Sequence, residues 1–412
     1  MENKKQDSFP VLMFICVIAI GGVGLCLVAN MNPLFYAAVS EALGLPRATF
    51  SLYYSVQCLF CMVALFFAGS IISKYKKLLP IFSAACYLVI GLGYLAFSRA
   101  NSLTVFMICG AFMGIGVAFG GFLLVGTLIN NWFFKKTGLI VGIYSACTSI
   151  VGAIISPRMA VLIASNWRAG YTAVAIGCFI MIPFCLCIKF SPELAGRKAW
   201  GADEVEQTEA KPVNNSGVTY NRALKSSTFY LCVLVVFLAT AYANFTYAIP
   251  GHAANVGYDP ATVGLVSSCY LISSIFGKLG GGWMKDRIGL VKALAVIVVL
   301  GVIGMLIMIF VPTIKGFMLA GSFLFGIAMS ITGVFPPLVV RECFGNKAYS
   351  KILSNVTTMI YVSSMTVIPV YNLFYDRTGS YVFGMCVSMC ALLLCLGSTA
   401  TAIKTSKKLE RE

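Results

Sequence analysis

The chain has 412 residues, 59% apolar and 11% charged, with a net charge of +16. A soluble domain runs at about 45–50% apolar and about 25% charged, so no water-soluble fold covers this much apolar surface. The same numbers exclude a disordered chain, a coiled coil, a collagen and a secreted disulfide scaffold, and the basic excess points to nucleic acid only in a soluble protein.

A bilayer core takes about 20 apolar residues per helix. Spans are predicted near 11–33, 49–72, 78–97, 102–131, 138–164 and 168–190, then near 228–250, 261–284, 290–312, 314–340, 350–373 and 380–403. The first run is too long for a signal-peptide core and is read as a retained helix. The unbroken runs reject the alternating pattern of barrel strands. The fold class is therefore an all-α integral membrane bundle of twelve helices in two halves. Residues 1–190 form one half, 191–227 a linker, 228–403 the second half and 404–412 a tail. With few large apolar residues, the acidic stretch Ala202–Asn215 reads as a flexible linker.

If the amino terminus is cytoplasmic, 23 of the 30 basic residues fall on the cytoplasmic side. Arg47, Arg99, Arg168, Lys315 and Arg377 lie outside, and Arg158 and Lys278 sit within spans. The asymmetry places both termini in the cytoplasm of a multi-pass protein of the plasma membrane. The sixteen cysteines are scattered through the spans, and Cys58-x-x-Cys61 reads as small packing residues. With one histidine, no metal site or cofactor is expected, and no catalytic cluster of an enzyme is present.

The two halves repeat. Ser73 aligns with Asp286, Phe133 with Phe344 and Pro157 with Pro369, at offsets between 211 and 213. Duplicated halves of this kind are characteristic of secondary transporters.

These segments also carry a family resemblance. Gly282-x-x-x-Asp286-Arg287-x-Gly289 resembles the signature loop of the major facilitator superfamily, whose carboxylate latches two helices. The first-half copy departs from it, with Ser73 for the acid and Lys76 for the glycine. Asn131-Trp-Phe-Phe-Lys135-Lys136-Thr-Gly138, Asn166-Trp167-Arg168 with Tyr171, Phe335-Pro336-Pro337 with Phe344-Gly345-Asn-Lys347, and Tyr375-Asp-Arg-Thr378-Gly379 resemble the monocarboxylate and oxalate–formate branch. Span one reads Ile20-Gly21-Gly22-Val-Gly24 and lacks the acidic opening of animal monocarboxylate carriers, which draws the match toward the oxalate–formate side.

A charge inside a span is expensive and a functional candidate by default. Lys278 lies eight residues before Asp286, about 12 Å along the helix axis, between small residues that permit cavity lining. The resemblance implies that a cation here binds the substrate carboxylate. Snorkelling to the interface is the plainer alternative. The branch's second cation, in span eleven, is absent from Thr357–Ser364, which favours a monoanion. The proton-coupling acid of related carriers is replaced by Ser274, and no carboxylate is expected inside a span. His252 at the mouth of span seven reads as a loop or capping residue.

Asn30, Tyr54, Gln57, Asn244, Tyr247 and Tyr361 are candidates to complete a substrate pocket. Each could equally be helix-packing glue. Asp286, Arg287, Gly282, Gly289, Pro157, Pro369 and Arg158 are the gating and structural candidates, Arg158 also reading as an interface anchor. The expected function is alternating-access transport of a small organic anion by a monomer in the bilayer. Drug efflux and non-transporting sensing on the same fold remain the alternatives.

Overall fold

The computed structural model describes residues 9–133, 137–197, 199–200 and 217–409. Apolar helices account for nearly all of it: α1 Phe9–Ala42, α2 Arg47–Ile72, α3 Lys76–Arg99, α4 Leu103–Trp132, α7 Ser227–Asn255, α8 Pro260–Ile288, α9 Leu290–Phe310, α10 Lys315–Phe344, α11 Tyr349–Thr378 and α12 Val382–Ser406. The run Thr137–Cys187 is helical throughout except at Asn166, which is extended at φ −157° and ψ 94°. That break divides it into α5 (137–165) and α6 (167–187), so eleven apolar segments make twelve spans. Asn166 Oδ1 accepts from Arg168 N (3.1 Å) and Ala169 N (3.3 Å), capping α6 as an N-cap asparagine does.

Four helices, two in each half, share a second feature. In α1 the glycine-rich Ile18–Gly24 is a π-helix. Its widened turn is tied down by Tyr87 Oη on Ile20 O (3.0 Å) and Thr148 Oγ1 on Gly21 O (3.0 Å). Helix α4 breaks at Gly121, α7 passes through a 3-10 turn at Asn244–Tyr247, and α10 breaks at Ser330. These are the first and fourth helices of each half, so the irregularities follow the repeat read from sequence. Discontinuous helices are where transporters of this architecture build their sites. A smaller break at Thr358 interrupts α11.

Helix ends follow local chemistry. Asp259 caps α8 through Thr262 N (3.1 Å), and Gly289 at φ +85° ends it, a conformation only glycine adopts without strain. The polar linker's described ends are anchored: Trp200 N donates to Trp132 O (2.9 Å) and Val218 N to Phe344 O (2.9 Å). The acidic stretch between them lies outside the described residues, as do Lys135 and Lys136.

By packing, the chain forms two compact units: Met1–Asn32 with Val56–Gly152 and Asn166–Pro212, and Pro33–Ser55 with Ala153–Ser165 and Val213–Glu412. In the first, Trp132 Nε1 donates to Lys189 O (2.8 Å) and Asn131 Nδ2 to Phe190 O (2.9 Å). The Asn131-Trp-Phe segment therefore fastens α4 to the end of α6. The second unit takes in residues beyond the sequence half, because the ends of α1, α2 and α5 pack on α7, α8 and α11. Within it α9 and α10 approach closely at Gly304, where a Cβ would meet Gly321 O at 2.7 Å. The outer faces carry exposed large apolar side chains such as Phe310, Leu279 and Phe66, the surface a lipid solvent covers.

Candidate functional site

The second unit holds four of the six polar and aromatic groups that sequence singled out: Tyr54, Asn244, Tyr247 and Tyr361. The 3-10 turn of α7 presents Asn244 and Tyr247 one turn apart. Asn244 is buried, and its Oδ1 accepts from Ser364 Oγ of α11 at 3.3 Å. Its Nδ2 is fully buried and has no hydrogen-bond partner among the described residues. Because a serine hydroxyl both donates and accepts, flipping the amide leaves its other atom spare instead. Such a group in an apolar interior is a standing demand for a polar ligand or water.

Tyr247 stands 5.0 Å from Tyr54 and 5.3 Å from Tyr36, ring centroid to ring centroid. Tyr53 and Phe50 continue the cluster 4.9 Å apart. Tyr36, Tyr53 and Phe50 went unnoticed in the sequence, although the run Phe50-Ser-Leu-Tyr53-Tyr54 is an aromatic density that could have marked them. Ser55 Oγ donates to Met365 O (2.7 Å), tying α2 to α11 one turn from the half-buried Tyr361.

Lys278 is half-buried on α8. At 100° per residue it shares a face with Gly264, Ser268, Leu271 and Ile275. That face is closed at one end: a Cβ on Gly264 would collide with Pro157 of α5, and Ser268 Oγ donates to Ala153 O at 2.6 Å. Lys278 lies ten residues beyond Ser268, about 15 Å along the same stripe. A lysine this far from both ends of a 29-residue helix sits at membrane depth. Pro157 thus packs closely on α8, whereas Arg158 beside it is exposed, as an interface anchor is.

Gln57 and Asn30 belong to the other unit. Gln57 is buried with Oε1 unpartnered among the described residues. Asn30 Nδ2 donates to Thr148 O (3.1 Å), which makes it a packing bond between α1 and α5. His252 is buried with Nε2 3.2 Å from Met308 O, a structural position for the only histidine. Pro369 lies inside α11, and Gly282 meets nothing on its Cβ side.

The helices outrun the predicted spans, so Glu41, Asp286, Glu342 and Asp376 lie inside helices, each within two residues of its end. No acid occupies a helix interior among the described residues. Asp286, the latch carboxylate, is 74% exposed and pairs with its neighbour Lys285 at 3.3 Å, while Arg287 covers Trp283. In this conformation that latch joins no second helix among the described residues.

A different polar contact does join helices. Asp376, at the end of α11, accepts from Arg47 N (3.0 Å) and Ala48 N (2.8 Å), capping α2. Arg47 lies 4.0 Å over the Tyr375 ring and donates to Tyr381 Oη, and the two tyrosines stack at 4.4 Å. Burial pushes the Tyr381 phenol up to about 12, against the opposing pull of Arg47. Arg47 and Asp376 were visible in the sequence only as loop charges; nothing local said that they meet.

Twelve spans, a repeated six-helix unit and broken first and fourth helices define a polytopic helical membrane protein built on a duplicated unit. The sequence profile of the Major Facilitator Superfamily matches residues 12–251 and 229–411, and the chain belongs to that superfamily. It is 27% identical over 306 residues to the MFS-type transporter hasB of Aspergillus fumigatus, covering 69% of this chain and 65% of that one. It is 25% identical over 309 residues to the glucose-6-phosphate exchanger SLC37A2 of Danio rerio, covering 66% and 60%. The chain thus spans less than two thirds of the length of these curated relatives. Among solved structures, a D-xylose–proton symporter superposes with a TM-score of 0.71 at 12% identity over 98% of this chain and 99% of that one. A bacterial homolog of the lysosomal transporter Spinster, inward-facing and unoccupied, gives 0.67 at 12% identity over 98% of each chain. The superfamily resemblance is established by these matches; none of them singles out the monocarboxylate branch.

Proposed function

We propose that this protein carries a small organic anion, in the first instance a monocarboxylate, across the membrane by alternating access. The observation that carries the reading is Lys278: a cation at membrane depth, on the α8 stripe that continues from the Gly264 and Ser268 contacts with α5. An anion held there repays the desolvation of the ammonium group. The spare amide atom of Asn244 and the ring of Tyr247 supply the polar and apolar complement that small-ligand sites use, with Tyr361 and Tyr54 as further candidates. Of the two span cations Arg158 is exposed, and Lys278 by itself balances one negative charge. With no carboxylate in a helix interior among the described residues, exchange or facilitated movement is favoured over proton symport.

The contacts of Arg47 with Asp376 and of Gly264 with Pro157 support a conformation closed at the end of α8 that carries Asp259. Basic residues concentrated on the other side support the reading of both termini as cytoplasmic, in the plasma membrane. Function as a monomer is part of the same proposal.

A second reading is exchange of phosphate esters. It draws on relatives named as a glucose-6-phosphate exchanger of Danio rerio and a putative glycerol-3-phosphate transporter of Arabidopsis thaliana. A phosphate monoester carries up to two charges near neutral pH, more than Lys278 alone balances.

Anion counterflow in proteoliposomes separates the two. The panel is formate, lactate, oxalate, glycerol 3-phosphate and glucose 6-phosphate. Formate or lactate should exchange through the wild type, and Lys278→Gln should lose about 30-fold or more of that flux, the loss typical of a truncated buried charge pair. Full activity in Lys278→Gln would sink the lysine's role, and flux confined to the phosphate esters would establish the second reading.

A further inference from the structure

The repeated loops differ in charge. Where α8 ends, Lys285 pairs with Asp286 and Arg287 rests on Trp283, so the second-half copy is locally compensated. Where α2 ends, the first-half copy reads Lys74-Tyr75-Lys76-Lys77 with no acid, and no Asp or Glu occurs anywhere between Glu41 and Glu193. All three lysines are exposed, and none is ion-paired among the described residues. Lys76 lies 5.2 Å over the Phe190 ring. Glu193 is exposed beside Leu194 and reaches none of the lysines.

The chain also makes a hollow there. Without a glycine to end the helix, it leaves α2 through Tyr75 at φ −108° and ψ 41° and a 3-10 turn at Lys76–Leu78 before α3 begins. Two adjoining cavities flank the turn. One, of 270 Å³, is an almost wholly apolar trough between Ile71, Ile72, Tyr75, Leu78, Leu79 and Phe82. The other, of 330 Å³, is rimmed by Lys74, Lys76 and Lys77 and shares Tyr75 and Leu78 with the first.

We propose that this hollow is a binding site for an anionic phospholipid, with the phosphate against Lys74, Lys76 and Lys77 and an acyl chain in the trough along Ile71, Leu78 and Phe82. An apolar trough opening onto three ammonium groups with no ion pair among the described residues matches the two ends of such a lipid. It matches neither a zwitterionic lipid, which brings its own cation, nor a free anion, which leaves the trough unfilled. Lysine clusters at the cytoplasmic boundary of a span attract anionic headgroups for this reason. The inference uses the membrane placement of α2 and α3 and is independent of the substrate reading.

The test is native mass spectrometry of the purified full chain titrated with phosphatidylglycerol or with phosphatidylcholine of the same acyl chains. The wild type should retain phosphatidylglycerol preferentially. Lys74→Gln, Lys76→Gln and Lys77→Gln combined should lower that affinity roughly a hundredfold, given the attraction expected per surface lysine. Lys404→Gln, Lys407→Gln and Lys408→Gln, an equal change of charge elsewhere, should leave it unaltered, and Ile71→Ser with Leu78→Ser should weaken both lipids. Should the lysine triple variant fail to fold, the three single variants should each show part of the loss. An unchanged preference in the lysine variants, an equal loss in the two charge variants, or full displacement by inorganic phosphate would overturn the proposal. Because the readout is lipid retention, its failure leaves the transport reading standing, and the reverse.

Discussion

Lys278 and Tyr381 are both held partly or wholly away from water, one as a cation and one as a neutral phenol. Lysine is a point charge on a flexible stem, whereas arginine presents a rigid fork that grips a carboxylate through two hydrogen bonds. Lys278→Arg should therefore keep anion exchange within about tenfold of the wild type, while oxalate should gain on formate in competition assays. Loss as deep as in Lys278→Gln would mean that shape rather than charge matters there. Tyr381 is neutral and buried, with its phenol raised from an ordinary 10 to about 12. The unfolded chain ionises first as pH rises, so the stability from the neutral phenol is present below about pH 10 and disappears as pH approaches 12. In thermal unfolding across that window, the wild type should lose stability that Tyr381→Phe does not lose. Parallel curves would show that the ring is not the group titrating.

At the scale of elements, the informative structures are where helices stop being regular. The glycines of α1 read in sequence as a departure from a motif; in the fold they make a π-helix whose carbonyls Tyr87 and Thr148 satisfy. Asn244 and Tyr247 were chosen as polar and aromatic residues in an apolar run. The 3-10 turn that sets them side by side ends just before Pro250, which cannot donate to the carbonyl four residues back; the proline marks a break, but which turn forms there was not legible from the span alone. The capping of α2 by Asp376 is likewise a tertiary contact. Asp376→Ala removes both acceptors of the Arg47 and Ala48 amides, an N-cap loss of about 1 kcal/mol. Hydrogen exchange over residues 47–52 should then quicken about fivefold, since about 1 kcal/mol shifts an opening equilibrium by that factor. Unchanged exchange would mean that α2 is held by its aromatic contacts alone.

For the whole molecule, orientation is the remaining prediction. Reporter fusions at either terminus should be shielded from externally added protease in intact cells, and cleavage of either would reverse the positive-inside assignment. The twelve spans, the repeat and the basic asymmetry could all be read from the chain alone. Lipid replaces water around each helix, so apolar length and loop charge act locally, without reference to partners. The depth of Lys278 followed from the same arithmetic. What only the tertiary structure decided is which polar residues meet. Asn30 became a packing bond and Asn244 kept a spare amide atom, though both were asparagines in apolar spans. Arg47 found Asp376 across 329 positions of sequence. Such pairings depend on helix rotation, where one residue turns a side chain by 100°, and on how closely backbones approach, which no single span encodes.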